Sequence, residues 1–154
     1  MLLTLFRGGA DMAIDPKLLE EATKQVLKRA AEIDSLTLAM IKGHWAIDQA
    51  MDELLSKHGI DTDKSFSRKA KACEELDLQE GDQHWEILWA ADSLRNELAH
   101  KRDPQKIGEK TAKLRSEYMK ALSPQQVKGL DSVADDIVAH QACIAVAGFL
   151  YVLE

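Results

Sequence analysis

The spacing of apolar side chains constrains the fold of this chain more than any other feature. Between residues 36 and 55 an apolar side chain recurs every three or four positions, which is the period of one face of an α-helix. The same period returns after Pro16, around Trp85 and after Pro104, and no useful stretch alternates between apolar and polar residues as a strand does. The sequence therefore predicts an all-α bundle with mostly antiparallel neighbours.

Capping residues divide this pattern into five to six up-and-down helices. Asp15-Pro16 and Ser123-Pro124 each combine an N-cap side chain with a proline, and Asp34-Ser35 also provides a cap. Asp103-Pro104 ends one helix, and the chain restarts into the next. The predicted helices cover residues 16–33, 36–58, 67–76, 82–103, 107–122 and 125–153. The three tryptophans lie on two of these helices, which are therefore expected to pack together. We expect one helical domain over residues 15–154, after a disordered or accessory extension over residues 1–14 that begins at Met1 or Met12.

Composition limits the classes of function. A charged share of 30% and a hydrophobic share of 45% indicate a soluble globular protein. The net charge of −6 argues against a general nucleic-acid coat protein, which needs clustered lysine and arginine. Cys73 and Cys143 are predicted to be small buried residues rather than disulfide partners or zinc ligands. The apolar segment Ala142–Leu153 is too short to span a bilayer, so we expect a cytoplasmic protein without membrane attachment.

The stretch from Arg95 to His100 combines a guanidinium, the Asn96 amide and an imidazole. On a helix each residue advances about 100°, so Asn96 and His100 share one face with Asp92. Arg95 and His100 diverge by about 140°, so a working site depends on side-chain reach or on a second chain. The structural alternative is that Arg95 pairs with Asp92 or Glu97 while His100 caps the helix.

The residues around this motif resemble a known family. Arg95-Asn96-x3-His100 matches the signature of HEPN domains, which are compact helical bundles. The order Phe66–Leu76, Trp85–Trp89 and Leu94–His100 is similar to members related to the mannitol operon repressor. Gly43–Leu55 looks like the preceding helix of those proteins. The resemblance covers residues 36–103.

The resemblance implies a HEPN-type bundle that pairs as a homodimer. Many members are metal-independent endoribonucleases, including toxins of toxin–antitoxin pairs, whose motifs meet across the dimer in one composite site. By position, Arg95 would bind phosphate and stabilise the transition state, Asn96 would orient the site, and His100 would be the acid/base. Other members are non-catalytic modules that bind RNA or protein. The implied partners are RNA, a second copy, and an antitoxin or regulatory protein, without a cofactor.

Charged residues near the motif extend this prediction. Asp92, Asp48 and Asp52 are expected to support Arg95. From residue 101 to residue 120, seven lysine and arginine residues outnumber three acidic ones. The predicted RNA-binding side chains among them are Lys101, Arg102, Lys106, Lys110 and Lys113. A solvated helix face is the alternative, because no aromatic residues interleave for base stacking.

His44 and Asp48 have the i,i+4 spacing of two metal ligands on one helix face. A zinc site needs at least a third protein ligand, and none is evident at a suitable spacing. The sequence therefore predicts no metal site at this position.

Overall fold

The structure is a computed structural model that describes residues 13–31, 34–77 and 82–153. Every regular element in these ranges is helical and none is a strand, which confirms the predicted all-α bundle. The α-helices are α1 (Pro16–Ala31), α2 (Ser35–Lys57), α3 (Phe66–Leu76), α4 (Gln83–Asn96), α5 (Pro104–Lys120), α6 (Pro124–Leu130) and α7 (Asp135–Val152). A π-helical turn, Glu97–Lys101, continues directly from α4.

Capping side chains mark the starts of α2, α5 and α6. The Asp34 side chain accepts a hydrogen bond at 2.8 Å from the backbone N–H three residues further on, where α2 begins. Asp103 caps α5 in the same way, and Ser123 forms a capping box at α6. These side chains satisfy N–H groups that the first helical turn leaves without an intrahelical partner. The predicted caps at Asp34 and Ser123 are therefore confirmed, whereas α5 begins at Pro104, before its predicted start at Ile107.

The chain divides into two compact units, Met1–Ile33 and Asp34–Glu154. The regular structure described in the first unit is α1, whose large apolar side chains are more than half exposed. They are Leu18, Leu19, Val26 and Leu27. The predicted boundary between residues 14 and 15 lies within this unit, and residues 1–12 of the predicted extension lie outside the described residues.

The second unit has one hydrophobic core, to which α2, α4 and α7 contribute most of the buried side chains. Helix α7 packs against α2, α4 and α5. Among the described helices, α7 alone is long and apolar enough to cross a membrane. Its inner face, however, places Cys143, Val146 and Leu150 in the core. This is the pattern of a central bundle helix.

Helices α2 and α7 approach closely at Gly43. A Cβ atom on Gly43 would lie 2.6 Å from the Cys143 Cβ and 2.7 Å from its Sγ, so the contact requires glycine. Nearer the C-termini, Glu53 and Tyr151 line the groove between the same two helices. Residue numbers thus rise together along both helices. This most extensively packed pair is parallel, whereas the sequence predicted mostly antiparallel neighbours.

Trp45 is exposed and does not pack between α2 and α4, the two helices that carry the tryptophans. Helices α2 and α4 do pack together, as predicted, but Trp45 is 64% exposed on the outer face of α2. Trp85 is buried, and its indole Nε1 donates to Asp77 Oδ2 at 2.7 Å. A helical period identifies apolar stripes, but it cannot say which stripe faces the core.

The predicted C-terminal helix is divided into α6 and α7. Residues 131–134 turn the chain between them, and Arg115 of α5 stabilises this turn. Its guanidinium donates to the carbonyl oxygens of Leu130 at 3.1 Å and Val133 at 2.7 Å, and to the Asp135 carboxylate at 2.8 Å. Because a charged donor satisfies these carbonyls, the helix can end without leaving them unpaired.

Candidate functional site

The Arg95–His100 motif spans the end of α4 and the π turn. Residues 97–101 have the i→i+5 hydrogen bonding of a π-helix. Arg102 then adopts a left-handed φ of 50°, and its N–H donates to the Glu97 carbonyl at 2.8 Å. The sequence predicted an unbroken α-helix here. π turns are rare and frequently occur at functional sites.

The π turn changes how Arg95 and His100 are related. An i→i+5 helix has more residues per turn than an α-helix, so the two side chains diverge by less than the roughly 140° of an α-helix. Arg95 is partly buried, whereas Asn96 and His100 are exposed. Within the described residues, the His100 side chain has no hydrogen-bond partner. Its imidazole is therefore accessible to a ligand.

A row of hydrogen bonds connects Arg95 with a histidine on another helix. Arg95 Nη1 donates to Asn96 Oδ1 at 3.3 Å, and Asn96 Nδ2 donates to Asp92 Oδ2 at 3.4 Å. Asp92 Oδ1 lies 3.1 Å from Nε2 of His44 on α2. The side chains of His44 and Asp92 are only 13% and 16% exposed. These four residues, called the His44–Arg95 row below, thus run from the largely buried His44 to the partly buried Arg95.

Two aspartates of α2 bind a buried lysine of α3. Lys69 is 6% exposed, and its Nζ lies 2.7 Å from Oδ1 of both Asp48 and Asp52. Burial by itself would lower the pKa of Lys69, but its hydrogen bonds to the two carboxylates outweigh this effect and raise the pKa. Asp48 and Asp52 were predicted to support the motif arginine. They bind Lys69 instead, and Asp92 alone of the three predicted acids joins the row.

The sequence pattern did not identify His44 as part of this site. Its ring stacks on Phe66 of α3, with centroids 3.9 Å apart and planes inclined by 22°. The available signal was a polar stripe at i, i+4 and i+8 on α2, formed by His44, Asp48 and Asp52. Such a stripe indicates a helix face that meets polar groups. It does not indicate which helix supplies them.

Ion pairs occupy part of the predicted RNA-binding face of α5. Lys110 Nζ lies 3.4 Å from Oε1 of the buried Glu97, and Lys113 Nζ lies 2.9 Å from Oε1 of the buried Glu117. Glu97 Oε2 has no hydrogen-bond partner in the part of the chain that the structure describes. The positive charge that these two lysines could offer to RNA is therefore partly neutralised.

The other predicted RNA-binding side chains are placed differently. Arg102 Nη1 donates to the Leu98 carbonyl at 3.1 Å and so caps the π turn. Lys106 is exposed near the start of α5. The side chain of Lys101 lies outside the described residues. Among the described side chains of this set, Lys106 is thus the cation whose exposure best suits a phosphate ligand.

The Glu117 carboxylate joins α5 to the start of α4. It accepts a hydrogen bond from Gln83 Nε2 at 2.6 Å and pairs with Lys113 and Lys120 at 2.9 and 3.0 Å. The hydrogen bonds from Lys113, Gln83 and Lys120 lower the pKa of Glu117 from 4.5 to about 2. Ionised Glu117 therefore stabilises the fold above pH 4.5, and this contribution is lost as the pH falls toward 2.

We expect Glu117→Gln to lower the free energy of unfolding by about 1–2 kcal/mol near neutral pH, since its lysine partners are largely exposed and screened by solvent. The difference from the unsubstituted protein should shrink as the pH falls below 4.5. Urea unfolding near neutral pH and at two acidic pH values measures it. Glu109→Gln, on an exposed position of the same helix, is the control. If the difference in the free energy of unfolding between the two proteins stays constant with pH, the stabilisation does not come from the charge of Glu117.

The two cysteine thiols are unsuited to nucleophilic chemistry. Cys73 and Cys143 are fully buried, as predicted, and burial raises the pKa of each to about 12. Across residues 13–31, 34–77 and 82–153, no three or more histidine, cysteine, aspartate or glutamate side chains are grouped to hold a metal ion. Neither cysteine therefore adds a nucleophile to the groups of the His44–Arg95 row and His100.

Comparison with known proteins found no match to any protein-family model, any curated protein or any solved structure.

Proposed function

We propose that this chain is a metal-independent endoribonuclease of the HEPN type, with a role as a toxin or a stress or defence ribonuclease in the cytoplasm. One observation carries the proposal: His100 is exposed on a π turn directly after Arg95 and Asn96, which the row connects to Asp92. Phosphodiester cleavage needs a cation that stabilises the phosphorane oxygens and a group that transfers protons. Arg95 provides the cation, and His100 provides the group that transfers protons.

The proposed reaction is a transesterification within RNA. The neutral imidazole of one His100 takes the proton of a ribose 2′-hydroxyl, and that oxygen bonds to the adjacent phosphorus. The bond from phosphorus to the 5′-oxygen breaks, and the imidazolium of the second copy's His100 protonates the leaving oxygen. The products are a 2′,3′-cyclic phosphate and a 5′-hydroxyl. Arg95 donates to the non-bridging oxygens, where one fixed donor typically contributes about 3–4 kcal/mol.

An exposed apolar face supports the proposed homodimer. The outer sides of α2 and α7 expose large side chains that are each 47–64% accessible to solvent. They are Leu38, Ile41, Trp45, Ile137 and Ile144. Soluble proteins that expose such apolar surface commonly use it as an interface. Since α2 also carries His44, a second copy bound there would lie on the helix that supports the motif.

Incubation of the purified chain with single-stranded RNA in EDTA tests the proposed activity. We expect cleavage with 2′,3′-cyclic phosphate and 5′-hydroxyl ends, and light scattering should give the mass of two chains. If the RNA stays intact at high protein concentration, the ribonuclease proposal is contradicted. If the protein cleaves RNA but has the mass of one chain, the result contradicts only the composite site formed by two chains, and the proposed ribonuclease activity stands.

The second candidate function is a non-catalytic regulatory module, similar to the mannitol operon repressor group, that binds RNA or protein. The net charge of −6 and the ion pairs of Lys110 and Lys113 favour a protein partner, such as an antitoxin or a regulatory protein, over RNA. In this case the unsubstituted protein and His100→Gln should bind that partner equally well, and neither should cleave RNA.

A further inference from the structure

His44 is held from two sides at one end of the His44–Arg95 row. Its ring stacks on Phe66 of α3 with centroids 3.9 Å apart, while its Nε2 lies 3.1 Å from Asp92 Oδ1 on α4. The side chain is only 13% exposed. Contacts from two different helices therefore restrict both the plane of the ring and the direction of its Nε2.

The Asp92 carboxylate connects this restrained ring with the motif. An ionised carboxylate can only accept hydrogen bonds, so its contact with His44 requires a hydrogen on Nε2. The second carboxylate oxygen accepts from Asn96 Nδ2 at 3.4 Å, and Asn96 Oδ1 accepts from Arg95 Nη1 at 3.3 Å. The row therefore leads from a largely buried ring to a partly exposed guanidinium through one shared carboxylate.

We propose that His44 is a positioning residue for the ribonuclease site. It holds the Asp92 carboxylate, which orients the Asn96 amide, and this amide orients Arg95 toward an RNA phosphate. Exposed side chains such as Asn96 lose rotamer freedom when they bind a ligand, and a buried anchor reduces that loss. The inference rests on the proposed function, because Arg95 is the group assigned to the RNA phosphate and Asn96 is the residue assigned to orient the site.

The chain contains a matched arrangement away from the motif. His84 Nδ1 lies 2.7 Å from Asp82 Oδ1, and its ring stacks on Phe149 with centroids 4.6 Å apart. His84 lies at the start of α4, roughly 16 Å along the helix axis from Arg95. Substitutions of His84 therefore alter an equivalent aspartate or aromatic contact without touching the row.

The test compares two substitutions of His44. His44→Phe keeps an aromatic ring on Phe66 but has no N–H group, whereas His44→Gln retains an amide that can donate to Asp92. In the ¹⁵N-labelled full chain, the side-chain resonances of Asn96 and Arg95 report the geometry of the row without RNA. With RNA, kcat and KM are measured separately. The same two substitutions of His84 are the controls.

We expect His44→Phe to move both side-chain resonances and to lower kcat by roughly 10- to 100-fold, the effect of a small misplacement of a catalytic group. His44→Gln should restore resonances and kcat toward those of the unsubstituted protein, and the His84 variants should leave both unchanged. If His44→Phe does not fold, His44→Asn replaces it, since its shorter amide cannot reach Asp92.

Two results would overturn the role of His44. One is unchanged Asn96 and Arg95 resonances in the His44→Phe protein, and the other is an equal change in the His84→Phe protein. If the unsubstituted protein cleaves no RNA, the proposed function fails by itself. The resonances still decide in that case whether His44 orders Asn96 and Arg95.

Discussion

Replacing His100 with glutamine is expected to lower the rate of RNA cleavage by about 10²- to 10⁴-fold, the usual contribution of general acid–base catalysis. His100 is exposed, and its side chain has no hydrogen-bond partner among the described residues. The substitution therefore removes proton transfer without removing a contact of the fold. Initial rates on a fluorescent single-stranded RNA in EDTA measure the effect, and thermal unfolding should be unchanged.

His58→Gln is the control for this experiment. His58 is also exposed, at the C-cap of α2, where its Nδ1 lies 3.0 Å from the Leu54 carbonyl oxygen. The His58 variant should cleave RNA at the rate of the unsubstituted protein. The His100 and His58 variants are purified in the same way. If only the His100 variant loses activity, a contaminating nuclease cannot account for the cleavage. Equal rates in all three proteins would contradict the role assigned to His100.

Substituting alanine for Gly43 is expected to lower the free energy of unfolding by about 1–3 kcal/mol through overpacking. Alanine is ordinarily the better helix former by about 1 kcal/mol, so the expected sign is the reverse of the intrinsic preference. The new Cβ would meet Cys143 Cβ at 2.6 Å and Sγ at 2.7 Å. A Cβ atom cannot rotate away from its own backbone, so α2 and α7 would have to separate.

Gly108→Ala is the matched control. Gly108 lies within α5, and an added Cβ would have no heavy atom within 4 Å apart from its own helix backbone and chain neighbours. We expect this substitution to raise the free energy of unfolding by about 0.5–1 kcal/mol. Urea unfolding followed by circular dichroism gives both values. A stabilising effect of Gly43→Ala would contradict the close approach of α2 and α7.

A compensating substitution separates the contact from other effects of alanine at position 43. Cys143→Gly removes both atoms that the new Cβ would meet. The double variant should therefore lose less stability than the sum of the two single variants, since residues in direct contact are not additive. If the losses of stability of the two single variants simply add, the effect of Gly43→Ala does not come from its contact with Cys143.

Helix starts could be predicted because their determinants are local. Asp34, Asp103 and Ser123 satisfy N–H groups two or three residues away, so the relevant partners are adjacent in the sequence. The turn before α7 could not be predicted in this way. Its carbonyl groups are satisfied by Arg115, which lies on an earlier helix.

The candidate site shows the same distinction. Arg95, Asn96 and His100 could be identified because they are close in the sequence. The π turn among them was not predicted. The contact between Asp92 and His44 was not predicted either, because it depends on how α4 packs against α2.

The sequence by itself determined the all-α class, the main helix starts and the presence of the Arg95–His100 motif. Apolar period and capping act over one or two helical turns, so short stretches contain the necessary information. Only the tertiary structure decided that Asp92 meets His44 and that Trp45 faces outward. The rotation of each helix about its axis is selected by the packing of the whole core, including the close contact at Gly43, and no single stretch of sequence contains that information.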